Sequence, residues 1–514
     1  MIRKMLPLLA VIALAISCGK SDDSKTDPTP TAPTTITLSP TSLDAVAAAG
    51  SYAVTITAPA RPSLELPSWI TKTDGTFKDY KITVTLNVAA NDTYKERSAD
   101  VKVSATGASD VTLKVKQAGK EEIKDPDLPN NAAVTRMKEL GLGWNMGNQL
   151  DAFSNGVSKE TCWGNPKATQ ETFNGVKAAG FTSVRIPVTW MGHIGEAPDY
   201  QIEDEWMNRV YEVVSYAETA GLKVILNTHH DEDHGDAHWQ NLANAVNSED
   251  SNTQIKEEIA AVWKQIATKF KDKGDYLMFE SFNELIYGSE WSSSSNTEKK
   301  CGVINEWNQV FVDAVRATGG NNASRWLGVP GYAASPSYLQ YLTVPNDPAG
   351  KTMLAFHCYD PYNYCTRKDK DKEGDGLWVP PVDWGHTGKS FPLGEEQIKS
   401  LFNGIYTNYI AKNIPIYMGE FGCSMRDKTN EKAWAYYLYY LEYVVKAAKV
   451  FGIAAFLWDN GAEGPGQEHH CYINHGTGAY MNTGEEPVKA MVKAWSTTDK
   501  SYTLQSVYDN APKF

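Results

Sequence analysis

Apolar residues fall in two different rhythms along this chain. Between residues 35 and 119 they alternate with polar ones in short runs, Tyr52-Ala53-Val54-Thr55-Ile56, Ile82-Thr83-Val84-Thr85-Leu86, Asp100-Val101-Lys102-Val103 and Val111-Thr112-Leu113-Lys114-Val115, separated by Gly, Asn and Pro clusters. A period of two predicts half-buried strands, and this spacing predicts a small all-β, immunoglobulin-like sandwich. From residue 131 the pattern changes. Apolar runs at Gly141 to Met146, Ser183 to Pro187, Lys223 to Thr228, Tyr276 to Phe282, Trp326 to Pro330, Met353 to His357, Ile416 to Phe421 and Ala454 to Trp458 are separated by helical patterns. In those, apolar residues recur at three- and four-residue spacing, as in Trp206/Val210/Val213/Val214/Ala217 and Ile255/Ile259/Val262/Trp263/Ile266. Eight alternations in one direction predict an α/β fold, a (β/α)8 or TIM barrel, over residues 131–514. No Gly-rich phosphate loop follows any of these strands.

The segments around the two folded regions are polar. Residues 120–130 are charged, carry Pro126 and Pro129, and are expected to be a linker. Residues 18–34 are Ser, Thr, Asp and Pro with almost no apolar content, the composition of a solvated tether. Residues 1–17 form a targeting segment: Arg3 and Lys4, an apolar run from Leu6 to Ile16, then Ser17-Cys18. A small residue followed by Cys resembles a bacterial lipoprotein cleavage site, although Ala15 stands where Leu is usual. Cys18 is thus expected to be lipidated and to anchor the protein to a membrane. The acidic pair Asp22-Asp23 resembles the surface-export signal of Bacteroidetes lipoproteins, which implies an outer-membrane location facing the exterior.

The net charge of −13 and pI near 5.4 argue against nucleic acid or anionic lipid as a partner, since either needs a basic surface. They suit a neutral substrate. Fifteen Trp and 26 Tyr exceed what a core needs, and flat aromatic faces hold sugar rings, although most of these residues are expected in the core. Six cysteines remain besides Cys18, and Cys358 and Cys365 flank a loop short enough to close, but no pairing is fixed. A monomer is expected.

Two of the apolar runs end in glutamate: Leu277-Met278-Phe279-Glu280-Ser281-Phe282-Asn283-Glu284 and Ile416-Tyr417-Met418-Gly419-Glu420-Phe421-Gly422. Barrel strands deliver catalytic groups at their C-terminal ends. Two carboxylates from strands four and seven suit cleavage of a glycosidic bond, which needs one group to protonate the departing oxygen and another to attack or stabilise the sugar carbon. Glu284 is the candidate acid/base and Glu420 the candidate nucleophile. No metal or organic cofactor is implied.

Gly143-Trp144-Asn145-Met146-Gly147-Asn148, Val184-Arg185-Ile186-Pro187-Val188-Thr189-Trp190, Leu226-Asn227-Thr228-His229-His230-Asp231, Phe279 to Glu284, His357-Cys358-Tyr359-Asp360-Pro361, Gly419 to Gly422 and Trp458-Asp459-Asn460-Gly461 together resemble glycoside hydrolase family 5, clan A, most closely its subfamily 4, over residues 132–497. The resemblance implies a retaining endo-β-1,4-glucanase whose substrate is a plant cell-wall β-glucan, xyloglucan first, with cellulose and mixed-linkage glucan as alternatives. It also implies the roles of individual residues. Arg185 sits beside Glu420 and keeps it ionised. Asn283 donates to the sugar 2-hydroxyl, Tyr359 to Glu420, and His357 sets the proton affinity of Glu284. Trp458 is the platform under the sugar whose bond breaks, and Asn148, His229 and His230 bind substrate. A zinc or calcium site in the run from His229 to His238 is the competing reading. Cys358, where an aromatic is common, and Asn363, where an acid is often found, bear on the positive subsites. Trp163, Trp190, Trp239, Trp291, Trp378 and Trp384 are candidate platforms. Residues 35–119, with Pro67-Ser68-Trp69-Ile70 and Val115 to Gly119, resemble the BACON domain of Bacteroidetes surface proteins. Trp69 is expected in its core, which favours a spacer over a sugar-binding module. A catalytically silent glycan-binding protein is the rival from another class.

Overall fold

The computed structural model describes residues 31–232, 238–366 and 381–514. The targeting segment, Cys18, most of the tether, Trp378 and Asp233, His234 and Asp236 of the His-rich run lie outside the described residues. The chain divides into two compact units that meet at Glu122/Ile123.

The first unit is a sandwich of two four-stranded sheets. One pairs β1 (Thr37–Ser39), β3 (Gly50–Thr57), β6 (Lys81–Val88) and β5 (Ile70–Asp74) in the order β1-β3-β6-β5. The other pairs β2 (Ser42–Ala45), β8 (Val111–Gln117), β7 (Arg97–Ser104) and β4 (Ser63–Glu65) in the order β2-β8-β7-β4. Inward residues of the alternating runs, including Val54, Ile56, Val84, Leu86, Val101, Val103, Leu113 and Val115, form its core. Trp69 packs against that core with the Arg97 guanidinium 4.4 Å over its ring.

The second unit is a closed barrel of parallel strands: β9 (Leu142–Met146), β12 (Ser183–Ile186), β13 (Lys223–Asn227), β14 (Leu277–Glu280), β15 (Leu327–Pro330), β16 (Thr352–Cys358), β17 (Ile416–Phe421) and β18 (Ala454–Asp459). These are the eight predicted runs, each shifted by no more than a residue or two. A hairpin, β10 (Phe153–Ser154) and β11 (Val157–Ser158), lies in the loop after β9. The helices are α1 (Ala132–Leu140), α2 (Gln170–Ala178), α3 (Asp204–Thr219), α4 (Leu242–Asn247), α5 (Glu249–Lys269), α6 (Thr297–Ala317), α7 (Tyr362–Cys365), α8 (Gly394–Asn408), α9 (Glu431–Val450), α10 (Glu485–Ser496) and α11 (Leu504–Asp509). Trp206, Val210, Val213, Val214 and Ala217 of α3 are buried, as the three- and four-residue spacing requires. Asn131 caps α1 by accepting the Val134 N–H, Ser248 caps α5 by accepting that of Ser251, and Asn430 caps α9 by accepting that of Ala433.

Residues 123–130, read as a linker from their charge and proline content, are fastened to the barrel. Ile123 and Leu128 pack against its core, the Ile123 N–H donates to Gln505 Oε1 (2.6 Å), and Asp125 Oδ1 accepts the Leu504 N–H (3.1 Å). The six cysteines after residue 131 all carry free thiols, Cys358 and Cys365 included, and only Cys162 is exposed.

Candidate active site

Two strand ends bring the acidic side chains together. Every residue of β14 and β17 is buried, so both strands are held from all sides and their C-terminal ends are fixed in space. The chain leaving β14 presents Asn283 and Glu284, and β17 carries Glu420. The register between β16 and β17 shifts at Phe356/His357, and the shift sets His357 opposite Glu420. Such irregularities re-aim side chains. A carboxylate oxygen of Glu284, one of Glu420 and a ring nitrogen of His357 lie within 4.8 Å of one another. His357 Nδ1 is 2.6 Å from Glu284 Oε1 and 3.7 Å from Glu420 Oε2. Tyr359 donates its hydroxyl to Glu420 Oε2 at 2.9 Å, and Arg185 donates from Nη1 to Glu420 Oε1 at 2.7 Å.

The surroundings divide the two carboxyls. Burial, reinforced by the negative charge of Glu232, pushes Glu284 up to about 8, against the opposing pull of Arg185 and His230. Burial also raises Glu420, and there Arg185 and the Tyr359 hydroxyl draw the proton affinity back by direct contact. The guanidinium is therefore where the sequence places it, while dehydration of the carboxylate outweighs its pull. Burial lowers His357 to about 4, leaving a neutral imidazole beside Glu284 at neutral pH. Burial also holds the Tyr359 hydroxyl protonated, a permanent donor to Glu420. His230 differs: burial lowers it, but Glu232, Asp151 and Glu420 together carry it up to about 9.

A cavity of about 840 Å3 opens over this pair, lined by Asn148, His229, His230, Asn283, Glu284, His357, Tyr359, Glu420 and Trp458. Arg185, expected beside Glu420, lies there but below the cavity. It is fully buried and absent from the lining, because its nitrogens are occupied by Glu280, Glu420, Asn145 and Asn283. Its contacts are with protein carboxylates and amides. Asn283 Oδ1 accepts from Arg185 Nη2 at 2.8 Å, which leaves the Asn283 amide nitrogen to donate into the cavity. Trp458 stands parallel to the His229 ring, 5.7 Å between centroids at 6°. Gly147 makes room for that indole, since a Cβ there would lie 2.8 Å from its outer edge. Asn148 turns the chain at φ 58° and donates its N–H to Asp151 Oδ2 at 3.0 Å.

Asp151, His229 and His230 offer ligand atoms within 4.8 Å of one another and could hold a metal ion, as could Glu284, His357 and Glu420. Asp151 is already engaged by the N–H groups of Asn148 and Gln149, and His230 lies between Asp151 (3.8 Å) and Glu232 (3.4 Å).

The tryptophans separate by burial. Trp163 and Trp291, 40% and 55% exposed, line the cavity. Trp190 and Trp384 are fully buried in the barrel core and cannot be platforms; Trp239 packs against the core with its N–H on Asp231. Loop position alone does not tell which way an indole faces. Cys358 is buried and outside the lining, so it does not reach a substrate, whereas Tyr362 lines the cavity at 57% exposure. Sequence reasoning passed over Glu468 and His470, which also line it, and Glu280, which lies beneath it.

Residues 148–464 match the family model described as cellulase, glycosyl hydrolase family 5, and residues 65–118 match the BACON model, described as a putative N-terminal binding domain. The chain is 37% identical over 343 residues to endoglucanase A of Ruminococcus albus, a match covering 66% of this chain and 86% of the relative. It is 35% identical over 413 residues to a xyloglucan-specific endo-β-1,4-glucanase of Bacteroides ovatus, covering 77% and 79%. Among solved structures, a Bacteroidetes-affiliated cellulase linked with a polysaccharide utilization locus superimposes with a TM-score of 0.70 at 44% identity, covering 75% of this chain and 98% of that one.

Proposed function

The chain belongs to glycosyl hydrolase family 5, and from that premise we propose that this endoglucanase cleaves xyloglucan by a retaining double displacement at Glu284 and Glu420. The observation that carries the mechanism is the approach of the two carboxyls to within 4.8 Å. Retaining glycosidases hold such groups about 5 Å apart, whereas inverting ones leave about 6.5–9.5 Å for a water molecule. Glu284 protonates the departing oxygen, Glu420 bonds to the sugar carbon, and Glu284, then ionised, takes a proton from the water that releases the sugar. Glu284 can begin protonated at neutral pH because burial holds its proton, and it gives that proton up more readily when the charge on Glu420 is gone. Asn283 donates to the 2-hydroxyl beside the reacting carbon, Trp458 lies under the ring, and Asn148, His229 and His230 complete the sugar site. Recovery of the product in the starting anomeric form, followed by proton NMR, tests the stereochemistry; an inverted product overturns the mechanism.

The xyloglucan reading is supported by the xyloglucan specificity of the Bacteroides ovatus relative and by the length of that match. The Ruminococcus albus endoglucanase supports the wider alternative of cellulose or mixed-linkage glucan. Initial rates on xyloglucan, barley glucan, carboxymethylcellulose and glucomannan decide between them, and a rate on carboxymethylcellulose above that on xyloglucan overturns the narrower reading. Loss of hydrolysis on all four would favour the silent glycan-binding rival.

The protein is further proposed to be a monomer tethered to the outer membrane, facing the exterior, through lipid on Cys18. Cys18→Ser then moves the activity from the membrane fraction to the soluble one. The sandwich is proposed as a spacer, since its one tryptophan, Trp69, lies against its core under Arg97. Retention of the sandwich by insoluble glucan would reverse that reading.

A further inference from the structure

Beneath the cavity, Arg185 serves a second carboxylate. Its Nε and Nη2 donate to Glu280 Oε1 at 2.9 and 2.6 Å, while Nη1 alone reaches Glu420 Oε1. Glu280 is 1% exposed and fully satisfied: Oε1 also accepts from Asn227 Nδ2 at 3.0 Å, and Oε2 accepts the Tyr417 hydroxyl at 2.5 Å. Tyr417 belongs to β17, the strand of Glu420, and reaches Glu280 on β14 across the barrel interior. The crossing is possible because the strand neighbour of Glu280 is Gly328, where a Cβ would stand 2.2 Å from the phenol oxygen.

We propose that Glu280 is a positioning residue for the reaction, aiming Arg185 at Glu420 and supplying the counter-charge to Arg185 while Glu420 is bonded to the sugar. The inference rests on the double displacement proposed above. In the free enzyme one buried cation lies between two anions. When Glu420 becomes an ester its charge disappears, and a guanidinium that no water reaches would be left unpaired, a state proteins avoid. Glu280 keeps Arg185 paired throughout, and its grip on Nε and Nη2 leaves Nη1 directed at the nucleophile. Because Glu280 already draws on the guanidinium charge, less of it acts on Glu420, which remains a more basic and better nucleophile.

The charged and titratable groups facing Glu420 are Arg185, His357, Tyr359, Glu284 and, through space, His230; those acting with Glu280 are Arg185, Tyr417 and, through space, His357. Two substitutions change Glu280's share of the charge in opposite directions. Glu280→Gln frees the guanidinium for Glu420, so the acidic limb of kcat/KM moves to lower pH and kcat/KM falls by about tenfold or more, the loss expected when an orienting partner is removed. Tyr417→Phe removes a donor from Glu280, increases the negative charge that Arg185 and Glu420 feel, and moves the acidic limb to higher pH. Glu280→Asp, which retains the charge, recovers part of the rate lost in Glu280→Gln. A residue that only stabilises the barrel would lower the melting temperature without displacing either limb. Acidic limbs of folded Glu280→Gln and Tyr417→Phe that coincide with the parent's overturn the proposal, and if Glu280→Gln does not fold, the limb of Tyr417→Phe decides alone. Labelling of the parent by a 2-deoxy-2-fluoro glycoside separates the two levels. A label on Glu420 with unmoved limbs refutes only the role of Glu280, whereas a label elsewhere or none refutes the double displacement itself.

Discussion

Nδ1 of His357 lies 2.6 Å from Oε1 of Glu284, a neutral ring against a carboxyl whose buried setting holds its proton to about pH 8. An acid must carry its proton to deliver it, so kcat/KM falls as pH rises through about 8. On the acidic side activity is lost as Glu420 gains a proton. Glu284→Gln, assayed on an aryl glycoside whose leaving group needs no protonation, should keep the acidic limb and lose the alkaline one. An alkaline limb that persists in the variant assigns it to another group.

The same raised affinity makes stability depend on pH. Glu284 binds its proton more tightly folded than unfolded, so the stability it contributes is complete below its ordinary value of 4.5 and is lost as pH rises through about 8. Gln cannot ionise and escapes that loss. The melting temperature of Glu284→Gln should therefore gain on that of the parent between about pH 4.5 and 8, measured by calorimetry in matched buffers. A difference that is constant across that window contradicts the assignment.

Replacing the nucleophile should separate catalysis from capture. Glu420→Gln is expected to lower kcat by about 10⁴-fold or more while affinity for the polysaccharide changes little, since Trp458, Asn283 and the histidines remain in place. Affinity electrophoresis in a glucan-containing gel, run beside a reducing-sugar assay, reads both quantities. Turnover near the parent's level would exclude Glu420.

Much of this could be read from the chain before folding, and the remainder had a physical reason to stay hidden. The barrel strands are buried on both sides, so they read as mainly apolar runs, broken only by the few polar residues that face the barrel interior, such as Asn145 and Arg185. Glu284 and Glu420 sit at the ends of two such runs, which made them visible. Glu280 closes β14 itself, but its part could not be read from that position: it depends on Tyr417, from a strand across the barrel, and on the missing side chain of Gly328. Trp190 and Trp384 lie in loops like Trp163 and Trp291 but point into the core, a choice that depends on neighbours distant in sequence.

Trp163 and Trp291 should contribute to polysaccharide binding without touching the chemistry. Alanine at either position is expected to raise KM for a long glucan by about 3- to 10-fold, the worth of one aromatic contact, with kcat on a short aryl glycoside unchanged. An equal effect on both substrates would place the residue nearer to the scissile bond than its exposed position at the cavity wall suggests.

Metal removal should have no effect. His230, drawn between Asp151 and Glu232, is held up to about 9 and so keeps its proton at neutral pH, in which form it has no lone pair for an ion. Exhaustive dialysis against a chelator is expected to leave kcat and KM as they were, and added zinc should not increase them. Activity lost on chelation and recovered with one metal would reassign Asp151, His229 and His230 as ligands.

The fastening of residues 123–130 decides where a catalytic fragment can be cut. A version begun at the first barrel helix would strip Ile123 and Leu128 from the surface they cover and leave the Leu504 N–H and the Gln505 amide oxygen without the partners Asp125 and Ile123 supply. A gene trimmed at codon 123 keeps that clasp closed, and the enzyme it encodes can be studied free of its sandwich without a frayed C-terminal helix.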